Sequence, residues 1–494
     1  MDHQVLVAAP IGLPVLAAAG YAAFGWRRAT AWLGAVAAAG LLGTAIALAV
    51  RTTREGGPLT ALGGLLRADA LSAFMLIVIG AVALAAMVAS PSYLAAELAA
   101  RRTGPRATRR YGVLTQAFVA AMALAVLAAS LGVLWVAVEA TTILTAFLVG
   151  FRRTRAATEA AWKYVVICSV GIALALLGLV LAHYAAVHAH LPEAGALDWT
   201  TLARYATSLD PGVMRIAVAL LVLGFGTKAG LAPMHAWLPD AHSQAPAPVS
   251  ALMSGVLLSV AFYAILRVKA IADPALGAGF TRTLLVVVAL ASLAVAAALL
   301  LAQRDYKRLL AYSSIEHMGL VALGAAVGTR LAMAAVLLHV LGHGLGKSAL
   351  FLSSGYIHQA VGSSRVADVR ALARRAPLVA GAFALGLLAL LGMPPFSLFA
   401  SEVGIFREGF AAGLGWAVAV ALALMLVIVA AVLGRARGML LGPPADGADA
   451  AVRFPATAAV PVVAGLAACA VLGVAAGPLI TLLETAAELT GAVR

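Results

Sequence analysis

Apolar runs of about 20 residues follow one another along nearly the whole sequence, each long enough to cross roughly 30 Å of hydrocarbon as a helix. That feature removes most folds from consideration. A bilayer offers no water to exposed amide groups, so a spanning chain must satisfy them internally, and runs of this length do so as helices. The expected fold class is an all-α polytopic membrane protein. Fourteen spans are predicted, at 5–24, 30–50, 69–90, 111–129, 131–150, 159–182, 213–239, 246–272, 281–302, 308–328, 331–357, 377–410, 413–440 and 456–480. The opening MDHQVLVAAP has no basic segment before its apolar run, so it reads as the first span and not as a cleaved signal.

The formal net charge of +14 would suit a nucleic-acid binder, but its distribution argues against one. Most basic residues lie in short loops between spans. With the N-terminus outside, 20 of them, including Arg453, fall on one side, and 10, including Arg494, on the other. The positive-inside rule then predicts both termini outside. The two cysteines, Cys168 and Cys469, sit inside apolar runs with no CxxC, which argues against thiolate-held clusters or structural zinc. They read as small core residues.

Ionisable residues inside the spans are the exception that needs a reason. An ionisable side chain at the centre of a span costs about 2.5–3.5 kcal/mol on insertion scales, and such residues commonly mark ion or proton pathways. Glu139, Lys163, Lys228, Glu316, His317, His339, His343, Lys347, Glu402 and Arg407 are of this kind. Lys163 and Arg407 stand near span ends, from which a long side chain can reach the interface. In LHVLGHGLGKSAL (338–350), His339, His343 and Lys347 are four residues apart and share one helix face. HVLGH has the spacing of a zinc helix but lacks the glutamate of HExxH, and no third ligand is visible, so no metal site is expected. Imidazoles that titrate near neutral pH suit a proton relay.

Two spans are interrupted. Gly230 and Pro233 break one just after Lys228; Gly392, Pro394 and Pro395 break another just before Glu402. Paired Pro/Gly-interrupted spans in two halves of a chain are the sequence mark of inverted repeats with the working site at the breaks. KYVVICSVG (163–171) and KSALFLSSG (347–355) share a Lys, a Ser six residues on and a Gly eight residues on, and each precedes its own broken helix. The expected organisation is a three-helix segment (1–110), two inverted five-helix repeats (111–272 and 273–440) and a C-terminal span (441–494), with Lys163 matching Lys347.

TKAGLAPMHAWLPDAHSQAPAPVSAL (227–252) resembles the antiporter-like membrane subunits of respiratory complex I, Mrp-type sodium/proton antiporters and membrane-bound hydrogenases. QRDYKRLLAYSSIEHMGL (303–320) and HGLGKSALFLSSGYIHQA (343–360) lean toward the hydrogenase-4 component F branch of the formate hydrogenlyase group. The resemblance covers essentially the whole chain. It implies fourteen helices with inverted repeats and a mid-membrane line of buried charges and water, in a bacterial or archaeal cytoplasmic membrane. By motif, Glu139, Lys163 and Lys228 match the family's ionisable positions in spans 5, 6 and 7. His339, His343 and Lys347 match those of span 11, and Glu402 that of span 12. One departure stands out: many relatives carry a histidine just after PVSAL, where this chain has Ser254. A hydroxyl can pass a proton through water but holds no charge near pH 7.

The expected function is proton translocation within a redox-driven complex. Glu139 beside Lys228 favours the charged lysine, and separating the two favours release of its proton. The proton would pass through Ser254 and water to Lys347, His343 and His339 and leave near Glu402, with Glu316 and His317 as further candidates. No cofactor motif is present, so no cofactor is expected in this chain and the driving chemistry would lie in a partner. Expected partners are other membrane subunits, a soluble redox arm and membrane lipid. The alternatives are a sodium/proton antiporter subunit of Mrp type, and an assembly scaffold whose buried charges only fix helix packing.

Overall fold

The computed structural model describes residues 2–192, 195–443 and 454–492. Arg453 and Arg494 lie outside them. Among the described residues, thirteen helices are long and apolar enough to cross a membrane. The chain begins with α1 (His3–Phe24), α2 (Leu33–Arg54), α3 (Ala70–Ala99), α4 (Pro105–Leu127), α5 (Leu131–Val149) and α6 (Arg155–His188). A short α7 (Trp199–Arg204) leads to α8 (Pro211–Lys228) and, across a break, α9 (Trp237–Gln244). α10 (Ala247–Leu252) and α11 (Leu258–Leu276) form one span through a π turn at Met253–Leu257. Then come α12 (Ala278–Ala302), α13 (Tyr306–Val327), α14 (Arg330–Val361), α15 (Leu372–Arg375), α16 (Pro377–Leu390), α17 (Ser397–Ala411), α18 (Gly415–Leu441), α19 (Ala456–Val474) and α20 (Gly477–Glu488).

The single span expected over 377–410 is instead two shorter helices, α16 and α17, because Pro394 and Pro395 have no amide hydrogen to continue the ladder. The expected span 213–239 likewise ends early, at Lys228. The last expected span, 456–480, ends at Val474 as α19, and α20 begins within its final residues and runs on to Glu488. Its Glu484 and Glu488 pair with Arg330 at the start of α14, at 2.9 and 3.1 Å. A two-strand hairpin, β1 (Leu59–Ala61) and β2 (Leu66–Ala68), turns through Gly63 and Gly64, both at positive φ, as the one departure from all-α structure among the described residues.

Helix starts follow the capping residues. The side chains of Asp69, Thr154, Asp210, Asp305 and Thr329 each accept a backbone N–H in the first turn of α3, α6, α8, α13 and α14. α11, α13 and α14 are buried almost throughout, and α14 packs against α3, α10, α13, α16, α17 and α19 at the centre. There the π turn and α14 approach backbone to backbone: a Cβ on Gly255 would stand 3.0 Å from the Gly344 carbonyl, and one on Gly344 2.9 Å from that of Gly255. At the end of the bundle away from the arginine-rich loops, buried Arg267 reaches both oxygens of Asp69 at 2.7 Å, under the Trp199 ring at 3.9 Å.

Candidate functional site

Both helix breaks set an ionisable group beside freed backbone. After Lys228 the chain turns at Gly230, whose φ is +75°. The Thr227 carbonyl released there accepts from Trp237 Nε1 at 2.9 Å, and the Ala232 N–H is taken by Ser292 Oγ at 2.9 Å. The second break turns at Gly392, φ +61°, against which the Glu402 carboxylate lies so closely that a Cβ would fall 2.1 Å from Oε2. Only glycine meets both demands.

Around the first break, Lys228 is wholly buried. Its Nζ donates to Tyr164 Oη at 2.7 Å and stands 4.9 Å from the centre of that ring. Tyr164 Oη and Thr145 Oγ1 are 2.5 Å apart, and one turn back on α5 Thr142 Oγ1 donates to Glu139 Oε2 at 3.1 Å. Glu139, Thr142 and Thr145 therefore line one face of α5 at steps of three, and Tyr164 joins that face to the lysine. Sequence reasoning missed Tyr164 and both threonines; their signal is VEATTILT, with hydroxyls three and six residues after the glutamate. Glu139 itself is only partly buried.

Lys163 does not join this group. Its side chain is 48% exposed and pairs with Glu159 at 2.7 Å and Asp240 at 3.2 Å. α6 has 34 residues, more than a bilayer requires, so its first turns stand in the polar boundary. Lys163 lines a polar cup of about 400 Å³ with Asp240 and Arg308, which also form an ion pair. Its proposed counterpart Lys347 lies in a wholly buried setting. Two residues beyond Asp240, His242 is buried against the Phe351 ring, centroids 4.9 Å apart, with neither ring nitrogen hydrogen-bonded.

Around the second break the predicted residues converge. Lys347 Nζ donates to Ser313 Oγ at 2.6 Å and to the Leu310 carbonyl at 2.7 Å. His317 Nδ1 and His339 Nε2 are 3.0 Å apart, and His339 Nδ1 meets Ser401 Oγ at 3.0 Å. The His343 ring centre is 5.1 Å from that of His317. One oxygen of Glu316, one of Glu402, and Nε2 of His317 and His343 are buried without a hydrogen-bond partner. The ligand atoms of His317, His339 and Glu402 lie within 4.8 Å of one another, so the fold gathers three donors, of which only His339 belongs to the HVLGH pair. Two of those atoms already face each other in the His317–His339 hydrogen bond.

Ser254, in the π turn, stands with its Oγ 2.8 Å from Oγ of Ser314, the residue after the Ser313 that holds Lys347. Among the described residues no direct hydrogen bond joins Lys228 to Ser254.

The comparisons decide the family. Residues 128–428 match the NADH:quinone oxidoreductase/Mrp antiporter transmembrane family. The chain belongs to that family. The hydrogenase-4 component F homolog of Methylacidiphilum infernorum (isolate V4) is 41% identical over 325 residues, covering 65% of this chain and 68% of that one. A subunit of the membrane-bound sulfane sulfur reductase, an archaeal respiratory membrane complex, has the same fold, with TM-score 0.88 at 23% identity over 99% of this chain and 98% of that one. So does a subunit of the Mrp complex from Dietzia sp. DQ12-45-1b, with TM-score 0.83 at 23% identity over 99% and 97%. Antiporter-like subunits of this kind are multi-pass membrane proteins, and these structural neighbours sit in multi-subunit membrane complexes.

Proposed function

We propose that this chain is a proton-translocating membrane subunit of a redox-driven complex of the hydrogenase-4 or complex I type. The observation that carries this reading is the pair of buried polar groups at the two helix breaks. One runs from Glu139 through Thr142, Thr145 and Tyr164 to Lys228. The other runs from Lys347 and Ser313 through Glu316, His343, His317 and His339 to Ser401 and Glu402. Ser254 meets Ser314, the residue after Ser313. A lysine held by a neutral hydroxyl keeps a path for its proton that a purely apolar cage would close. Water completes the link between Lys228 and Ser254, which share no direct hydrogen bond among the described residues.

Protons reach this line through the polar cup, where Asp240 and Lys163 stand at the mouth and His242 behind them; that mouth faces the cytoplasm and both termini lie on the opposite side. The 111–272 and 273–440 units are inverted repeats, each supplying one broken helix. Other membrane subunits and a soluble redox arm drive the cycle.

The test is proton pumping by the assembled complex carrying Lys228→Ala or Glu139→Gln. Pumping is expected to fall at least ten-fold while the partner's redox turnover persists. Unchanged pumping in both variants defeats the relay. Pumping that requires sodium favours the Mrp-type antiporter reading instead.

A further inference from the structure

We propose that the groove between α4, α5 and α6, on the side of the arginine-rich loops, binds an anionic phospholipid. Three adjoining cavities make this groove. The most apolar, about 550 Å³, is walled by side chains including Leu114, Ile143, Phe147 and Trp162, the last three of them 55%, 55% and 65% exposed. It shares Arg110, Phe151 and Arg153 with a cup of about 740 Å³, and Arg110, Leu114 and Phe147 with a recess of about 520 Å³. The groove thus runs from a cationic rim down to an apolar slot that opens along the side of the bundle.

The rim is unbalanced in charge. Arg106, Arg109 and Arg110 occupy the first turns of α4 at spacings of three and four, so they share a face. Arg153 joins them from the turn between α5 and α6. The nearby Arg102 and Arg152 are answered by the buried Glu97, at 3.6 and 3.2 Å. The other four have no carboxylate partner among the described residues, and no acidic residue lines any of the three cavities. Arg109 reaches the Ala22 carbonyl, and Arg110 lies 6.0 Å from the Phe147 ring centre. Guanidinium groups gathered at a membrane boundary call for an anion, and their planar forks match phosphate. A phosphate at the rim with an acyl chain in the slot meets both halves of the groove. An acidic peptide would answer only the rim, and a neighbouring apolar helix only the slot. Basic pockets between helices at this depth are an established place for anionic headgroups.

The test uses the full-length chain purified in a nonionic detergent. Retained lipid is counted by native mass spectrometry after addition of phosphatidylglycerol or phosphatidylcholine with the same acyl chains. Phosphatidylglycerol should be retained at least ten-fold better. R106Q/R110Q/R153Q should abolish that preference, R106K/R110K/R153K should keep part of it, and F147A/W162A should weaken both lipids alike. Should the glutamine triple fail to fold, R110Q alone decides by the same ratio, because Arg110 lines all three cavities and has no ion pair among the described residues. Equal retention of the two lipids by the unaltered chain overturns the proposal, as does an undiminished preference in the glutamine variant. Displacement by millimolar inorganic phosphate overturns it as well, since it would mark a bare anion site. Capture of a protein subunit and no lipid by a photocrosslinker at position 162 of the assembled complex does so too.

Discussion

A lysine and a phenol meet at the first break, and the phenol carries the connection. Tyr164 accepts from Lys228 and contacts Thr145, so removing its oxygen isolates the ammonium from the Glu139 face. A hydrogen bond to a charged group is worth about 1.5–3 kcal/mol, which corresponds to roughly a ten-fold or larger effect. Tyr164→Phe is therefore expected to lower pumping by about that factor and to lower the thermal midpoint of the chain measurably, because it leaves the buried ammonium without that bond. Equal pumping by the phenylalanine variant would show that Lys228 is served from elsewhere. Glu139, Lys228, His339, His343, Lys347 and Glu402 could be found in the sequence because ionisable groups are conspicuous in apolar runs. Tyr164, Ser313 and Ser401 could not, because hydroxyl side chains satisfy themselves on helix carbonyls so often that their presence alone signals little; Thr145 is marked only by its step of six from Glu139. The setting of Lys163 was hidden for a different reason: a lysine near a span end takes its environment from where the helix meets the boundary, and residue order does not show that.

Among the elements, the π turn before α11 and the middle of α14 leave no room for a side chain between them. Their backbones touch through Gly255, next to Ser254 in that turn, and Gly344, one turn before Lys347. Overpacking such a contact costs about 1–3 kcal/mol. Gly344→Ala is expected to lower the melting temperature measurably. Gly346→Ala, two residues along the same helix with nothing within 4 Å of the added carbon, should be neutral or slightly stabilising. Similar melting temperatures for the two variants would mean that the Gly255–Gly344 contact does not govern the site. The spans themselves were legible, because a bilayer fixes their length and composition together. The split of 377–410 into α16 and α17 was legible as an interruption at Gly392, Pro394 and Pro395 but not as two separate helices, since sequence shows where a ladder stops and not where the next one begins.

For the molecule as a whole, the Arg267–Asp69 pair ties α11 to the start of α3 far from the helix breaks. Removing one partner of a buried pair leaves an uncompensated charge, at a cost of about 3–5 kcal/mol. Arg267→Met should melt well below the unaltered chain, and adding Asp69→Leu should restore much of the loss. Failure of the second change to rescue would assign the arginine's role to its stacking on Trp199. Glu139 has a different consequence at this scale. It is only partly buried, and Val136 one turn earlier on α5 is 56% exposed. Oil cannot comfortably wet a carboxylate at such a place, so a neighbouring membrane subunit is expected to close the wall of the bundle there, on the Val136 side and clear of the lipid groove.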